Sequence, residues 1–461
     1  MEQYLSVIDE KRELLKRTAD FLWEHPETAF TEFQSAAYLC DVLRQEGFTV
    51  EENLAGIATA FSGSFGSGSP VIGFLGEYDA LSGLSQVDGV TCQQSAGGEA
   101  GHGCSHNLLG TGSLGAAIAV KAWLEQTGNP GTVIYYGCPG EEGGSGKAFM
   151  ARDGVFDNLD VAFCWHPADK TKVATGLNLA NYQVLYKFDG IAAHAGGSAH
   201  LGRSALDAVE LMNMGVQFLR EHMPSSCRIH YAITDSGGFS PNVVQAHAEV
   251  LYLIRGVNNK IVAELYERVN DIAKGAALMT GTKENHQFIK ACSNIVPNEA
   301  MQYMLQAKME SIPAPKPTEE EWEFARKMTA DALNHIPESD LQRPLWWEVA
   351  SYVPEKQGHG SSDVGDVSWV CPTAQIHTAC IARGTPGHSW QTTAQGKSSY
   401  AHAMTRYAAK IMAAGAVELM TNPELMEQAK AEHRKRVGPD GYVPPIPKDV
   451  RPISMDTLRK K

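Results

Sequence analysis

Apolar and polar positions alternate along the chain with periods that change from segment to segment. Leu5, Ile8, Leu15, Ala19 and Leu22 recur close to a helical period over residues 4–25, as do Ala36, Ala37, Leu39, Cys40 and Leu43 over 31–46. Short apolar runs at 58–61 and 71–75 read as strands, and the stretch 63–69 (GSFGSGS) reads as a turn or loop. A helix after Leu108, a strand at 132–136, a helix after Gly144 and a strand at 161–165 follow. Strands that alternate with helices predict an α/β fold whose mixed or parallel sheet is covered on both faces.

The pattern changes near residue 182. Residues 183–188 alternate as a strand, and 204–221 form an amphipathic helix opened by Ser204, a good N-cap residue. Strands at 228–234 and 246–254 flank the Gly237-Gly238 turn, a helix covers 260–278, and 286–291 suits a final strand. This β-α-β-β-α-β order is the split βαβ arrangement. After Pro297 the chain is helix-rich again, with a strand at 374–381, a long helix across 398–420 and a Pro-rich tail from Pro439. The expected organisation is a discontinuous α/β domain (1–181 and 296–438), an inserted α+β domain (182–295) and a tail (439–461).

The 461 residues suit two domains, and 43% hydrophobic with 20% charged residues excludes wholesale disorder. With 53 acidic and 39 basic residues the net charge is −14, which disfavours nucleic acid and anionic lipid as partners. No apolar run approaches the ~20 residues that span a bilayer. The start, Met1-Glu2-Gln3 and then Asp9, Glu10 and Lys11, lacks the layout of a secretion signal. Nine scattered cysteines without a C-x-x-C pair point to reduced thiols and a cytoplasmic protein.

Four short segments at expected strand ends hold candidate metal ligands. In GHGCSHN, Cys104 and His106 stand two apart in a glycine-rich loop before a helix, and both suit a zinc- or manganese-like ion. A buried turn cysteine beside a helix-capping histidine would look the same. In PGEEGG, adjacent Glu141 and Glu142 point in different directions, so one can bind metal while the other reaches a water; a helix N-terminus also favours acids. WHP places His166 at a strand end, and GTPGHS places His388 in a turn. Other histidines, such as His222, His335 and His433, lie in polar helical stretches and need no function. Together Cys104, His106, Glu142, His166 and His388 make five donors, a set that suits two ions better than one closed structural site.

The ordered set GHGCSHN, PGEEGG, WHP, HAGG and GTPGHS resembles the M20 metallopeptidases, in the amidohydrolase branch that uses Cys-x-His in its first metal motif. The likeness runs from HPETAF at residues 25–30 to the last helix, and includes LGEYDALSGL and GGFSPNVVQAHAEVLYLIR. The resemblance implies a mixed-sheet metallopeptidase catalytic domain with an inserted dimerisation domain, and a two-metal centre of Mn2+ or Zn2+ on the five donors. It implies that Glu141 is the general base and that Asp79 orients a ligand histidine. It implies that His194 reaches the active site of the partner chain to stabilise an oxyanion, and that Asn242 and Arg255 bind the substrate's carbonyl or carboxylate. His200 and Arg203 are open between an interface role and contact with a second substrate carboxylate.

The implied reaction is hydrolysis of an amide between an aroyl or acyl group and an amino acid, with p-aminobenzoyl-glutamate as the expected substrate. The rivals are a dipeptidase, an N-acyl-amino-acid hydrolase, or a noncatalytic member of a hetero-oligomeric hydrolase. The expected assembly is a homodimer, or a hetero-oligomer with a homologous chain. The sequence departs from most relatives at Ser105, where glycine would allow a backbone angle that serine resists, and Asn107 replaces the more general aspartate. Residues 311–370 carry no assigned role, and their stretch 358–366 reads as a loop over the site.

Overall fold

A computed structural model describes residues 3–330, 342–354, 356–358, 360–454 and 457 of the chain. His335 lies outside them. The described residues divide into two compact units. The larger draws on Met1–Leu177, Val296–Gln357 and Asp366–Val443, the smaller on Asn178–Ile295, Gly358–Gly365 and Pro444–Lys461.

In the larger unit a seven-stranded sheet runs in the order Thr49–Glu52, Phe61–Ser67, Gly131–Cys138, Val71–Glu77, Val161–Ala168, Thr373–Ala379, Lys172–Val173. The four strands from Gly131–Cys138 to Thr373–Ala379 are mutually parallel, and the outer pairings are antiparallel. The central strands are nearly continuous apolar runs because helices cover both of their faces. The helix His106–Thr127 is buried along most of its length and packs on this sheet and on the helix Ser399–Thr421. Its glycines permit that approach: a Cβ on Gly112 would stand 2.6 Å from the Trp165 indole.

Residues 63–69 are not simply a turn, since Phe61–Ser67 is a strand between two others. Its glycines answer crowding as well as turning. A Cβ on Gly63 would meet the Leu43 methyls at 2.9 Å, and Gly66 has φ 89° with Gly131 O only 2.3 Å from where its Cβ would be. The expected helix over 4–25 is two helices, Gln3–Glu10 and Arg12–Glu24. They meet at Lys11, across which the Lys11 N–H still donates to Val7 O at 2.9 Å. Within 358–366 the chain begins the helix Val364–Val370, so that stretch is not all loop. No helix among the described residues is long and apolar enough to cross a membrane.

The smaller unit is a four-stranded antiparallel sheet in the order Arg228–Asp235, His247–Gly256, Ala180–Asp189, Lys283–Cys292. Helices Ala205–Leu219 and Asn259–Thr280 pack on one face, against Val184, Tyr186, Val250, Tyr252 and Ile254. The order along the chain is β-α-β-β-α-β. Ser204 caps the first helix by accepting from the Asp207 N–H at 3.0 Å, and Asn258 caps the second by accepting from the Ile261 N–H at 3.0 Å.

Candidate functional site

Parallel strands deliver their C-terminal ends to one edge of the sheet. Val71–Glu77 leads to Asp79, Gly131–Cys138 leads to Glu141 and Glu142, Val161–Ala168 carries His166, and the loop after Thr373–Ala379 carries His388. His106 opens the helix His106–Thr127 beside them. The residue before it, Ser105, has φ 60° and ψ 29°, the left-handed angles that glycine tolerates best. Ser105 Oγ is buried and makes no hydrogen bond among the described residues.

The structure brings Cys104, His106, Glu142, His166 and His388 together. Donor atoms of Cys104, His106 and His166 lie within 4.8 Å of one another, as do those of Cys104, Glu142 and His388, so the two triplets share the thiol. Cys104 Sγ is 3.4 Å from His166 Nε2, and His388 Nε2 is 3.1 Å from Glu142 Oε1. A third group joins Glu77, His106 and Glu141.

The ring tautomers follow from what the other nitrogens touch. His166 Nδ1 lies 2.7 Å from the carbonyl oxygen of Pro167, which can only accept, so Nδ1 holds the proton and Nε2 presents a lone pair. His106 Nδ1 lies 2.9 Å from Asp79 Oδ1 and orients its Nε2 in the same way. Asp79 Oδ2 accepts from the Glu142 N–H at 2.8 Å, which ties the ligand histidine to the acidic turn. His106 Nε2 is buried and meets no hydrogen-bond geometry among the described residues, although Glu77 Oε2 is 3.2 Å away. A buried lone pair beside a thiol and a carboxylate fits a divalent cation.

Electrostatics favour the same reading. Burial pushes the Cys104 thiol up, but the charges on His166 and His106 outweigh it and hold the thiol at about 6. Burial raises the Glu142 carboxyl, and its hydrogen bond to His388 with the charge on His106 brings it to about 2. Hydrogen bonds to Cys104 and Glu142 lift His388 to about 10. The anionic donors are thus formed near neutrality, and cation uptake would displace protons from the imidazoles.

Three buried residues at this centre escape the motif reading. Glu77 accepts from Lys147 Nζ at 2.8 Å, and both side chains are almost wholly buried. Glu32 accepts from the N–H groups of Phe30 and Gly140 and from Thr59 Oγ1, each at 2.9 Å, and so anchors the turn before Glu141. Burial, with the nearby charge of Asp79, raises its carboxyl to about 8. A single acid at the end of an apolar strand was the available signal for Glu77; nothing local marked Lys147 or Glu32.

The other expected site residues lie in the smaller unit. His194 Nδ1 accepts from the N–H groups of Gly196 and Gly197 at 3.1 and 3.0 Å, so its proton is on the exposed side at Nε2, which is left to donate. Asn242 lies beside it, its main-chain carbonyl accepting from Ala195 N–H at 2.9 Å. Arg255 stands near the other end of the following strand and donates to Ser361 Oγ at 3.2 Å. Arg203 turns to local backbone, donating to Gly202 O at 2.6 Å, and His200 is exposed.

A sheet edge crowded with thiol, imidazole and carboxylate donors is the setting of a metallohydrolase, and residues 73–442 match the model of Peptidase family M20/M25/M40. The chain belongs to that family. It is 48% identical to one of the two kinds of p-aminobenzoyl-glutamate hydrolase chain of Escherichia coli (strain K12), over 96% of this chain and 97% of that protein. It is 28% identical to the Xaa-Arg dipeptidase of Mus musculus, over 93% of this chain and 90% of that one. Among solved structures, the aminobenzoyl-glutamate utilization protein from Klebsiella pneumoniae shares the fold at TM-score 0.62 and 17% identity, covering 89% of this chain and 98% of that one. A dinuclear metal-binding M20 peptidase from Bacillus subtilis does so at TM-score 0.57 and 16% identity, covering 90% and 99%.

Proposed function

We propose that the chain hydrolyses the amide bond between an aroyl or acyl group and an amino acid, with p-aminobenzoyl-glutamate as the substrate, in a cytoplasmic homodimer. The convergence of five metal-type donors with Glu141 beside them carries the reading, and the 48% identical relative supports the substrate. Cys104, His106, Glu142, His166 and His388 would hold two divalent ions, Mn2+ or Zn2+. When bound, these supply Lewis acidity and acidify water near neutral pH. Glu141 takes a proton from the water that attacks the carbonyl carbon and returns it to the amine nitrogen as the C–N bond breaks. Asp79 keeps His106 in the orientation that presents Nε2.

His194, lent by the partner chain, donates its Nε2–H to the carbonyl oxygen as that oxygen becomes negative. The two glycine N–H groups on its other nitrogen support that donor role. Asn242 binds the carbonyl and Arg255 the carboxylate, the latter through a planar fork suited to two parallel hydrogen bonds. Pairing of two chains through the smaller unit is favoured by the exposed Leu211, Met214 and Phe218 on the helix Ala205–Leu219, and by Tyr231 and Ile233 on the outermost strand.

The test is direct. Purified protein is loaded with Mn2+ or Zn2+, its metal content measured, and p-aminobenzoate release followed beside a panel of acyl-amino acids and dipeptides. Preferential release of p-aminobenzoate with about two ions per chain is expected. Preferential cleavage of dipeptides, or activity only with a second homologous chain, would replace the substrate or the homodimer in this reading.

A further inference from the structure

The open face of the smaller sheet carries a charge arrangement that the roles above do not use. Arg228 and Arg255 are register partners on neighbouring antiparallel strands. Ile229 and Ile254, adjacent to them in sequence, are fully buried under the helices, so both arginines project from the opposite face. Like charges placed directly opposite are unfavourable. Among the described residues no carboxylate lies within ion-pair distance of Arg228, whose guanidinium donates to the main-chain oxygens of Ser225 and Cys227. Glu249, further along the strand of Arg255, is taken by Lys187 at 3.3 Å and His247 at 3.2 Å.

His230 follows Arg228 on the same face. Burial and the positive charges of Arg255, Arg220 and Arg228 all press its ring below the ordinary histidine value, a sign of concentrated positive potential in a chain of net charge −14. Arg255 is held in place by Ser361 Oγ, which also accepts from Asn181 Nδ2 at 2.8 Å. Asn181 is itself the register partner of Arg255 on the next strand.

We infer that Arg228, with His230 beside it, is a second carboxylate-binding position next to Arg255, and that the amino-acid half of the substrate is therefore a dicarboxylate. This rests on the reading that Arg255 takes a substrate carboxylate. Neighbouring strands lie about 4.8 Å apart, and a glutamyl group, whose carboxylates are separated by a short carbon chain, presents two anions on that scale. One would neutralise Arg255 and the other Arg228, relieving the repulsion between them. A neutral side chain leaves Arg228 uncompensated, and a cationic one is repelled.

Two measurements test this on the full-length, metal-loaded protein. In the first, hydrolysis of p-aminobenzoyl-glutamate is compared with that of p-aminobenzoyl-glutamine. Arg228→Gln is expected to cut the ratio of the two kcat/KM values by about ten- to a hundredfold, through KM rather than kcat, with partial recovery in Arg228→Lys. A ratio within about twofold of the wild type would overturn the assignment. In the second, glutarate and its monoamide, glutaramate, are titrated calorimetrically. Tighter binding of glutarate that disappears in Arg228→Gln is expected, and equal binding of the two by the wild type would overturn the inference. If neither aroyl-amino acid is hydrolysed, the proposed reaction fails, while the glutarate preference still decides whether the paired arginines form a dicarboxylate site.

Discussion

At Ser105 the chemistry of the centre meets the strain of the backbone. Its φ of 60° gives the turn that brings Cys104 and His106 to one site, at a cost of about 1–2 kcal/mol for a residue with a Cβ. Its buried hydroxyl has no hydrogen bond among the described residues. Ser105→Gly removes both penalties against the greater unfolded-state entropy of glycine. It should stabilise the protein by up to about 1 kcal/mol and raise the thermal midpoint by a few degrees, as calorimetry would read. His102, two residues before Cys104, is a separate case. Burial, aided by the charge of His106, holds its ring at about 3 against an ordinary 6.5. The fold therefore keeps it neutral, so stability present above about pH 6.5 is lost as the pH falls toward 3. Chemical unfolding at about pH 7 and about pH 5 should show wild type losing about 2 kcal/mol more than His102→Gln.

At the scale of elements, the strand Phe61–Ser67 shows how composition can mislead. Apart from Phe65, residues 63–69 are all glycine or serine, which read as turn formers when taken without tertiary context. In the sheet they are small because neighbours press on them: Leu43 against Gly63 and the Gly131 carbonyl against Gly66. Gly66→Ala would place a Cβ 2.3 Å from that carbonyl while holding φ at 89°. It should destabilise by about 2–4 kcal/mol, read as a lower urea midpoint with the slope unchanged. The helices and strands with strong periods were legible, as Ser204 at its helix start illustrates. Glu77 and Lys147 were not, because a pair closed across the fold from different elements has no period and no motif.

At the scale of the molecule, the proposed sharing of His194 between chains has a sharp consequence. Glu141→Gln and His194→Ala should each lose at least about a hundredfold in turnover, on the order expected for a general base or an oxyanion donor, with metal content retained. Mixed under conditions that exchange chains, the two inactive proteins should recover about a quarter of wild-type activity, since only mixed dimers hold an intact site and each holds one. No recovery, with exchange verified by mass, would confine His194 to its own chain. The exposed Leu211, Met214 and Phe218 give the same idea an independent handle, because a charge at Phe218 should shift the sedimenting species toward monomer.

The linear order of residues was enough to name the donors Cys104, His106, Glu142, His166 and His388, because each sits in a glycine- or proline-bearing segment close to an apolar strand or helix, and such segments are local in sequence. It was enough, too, for the β-α-β-β-α-β order, since period and capping act within a few residues. Only the tertiary structure decided that the two donor triplets share the Cys104 thiol, which nitrogen of each imidazole is left to bind, and that Arg228 faces Arg255. Those outcomes depend on distances between segments remote along the chain, and such distances are set by how helices and sheets pack rather than by any neighbour in sequence.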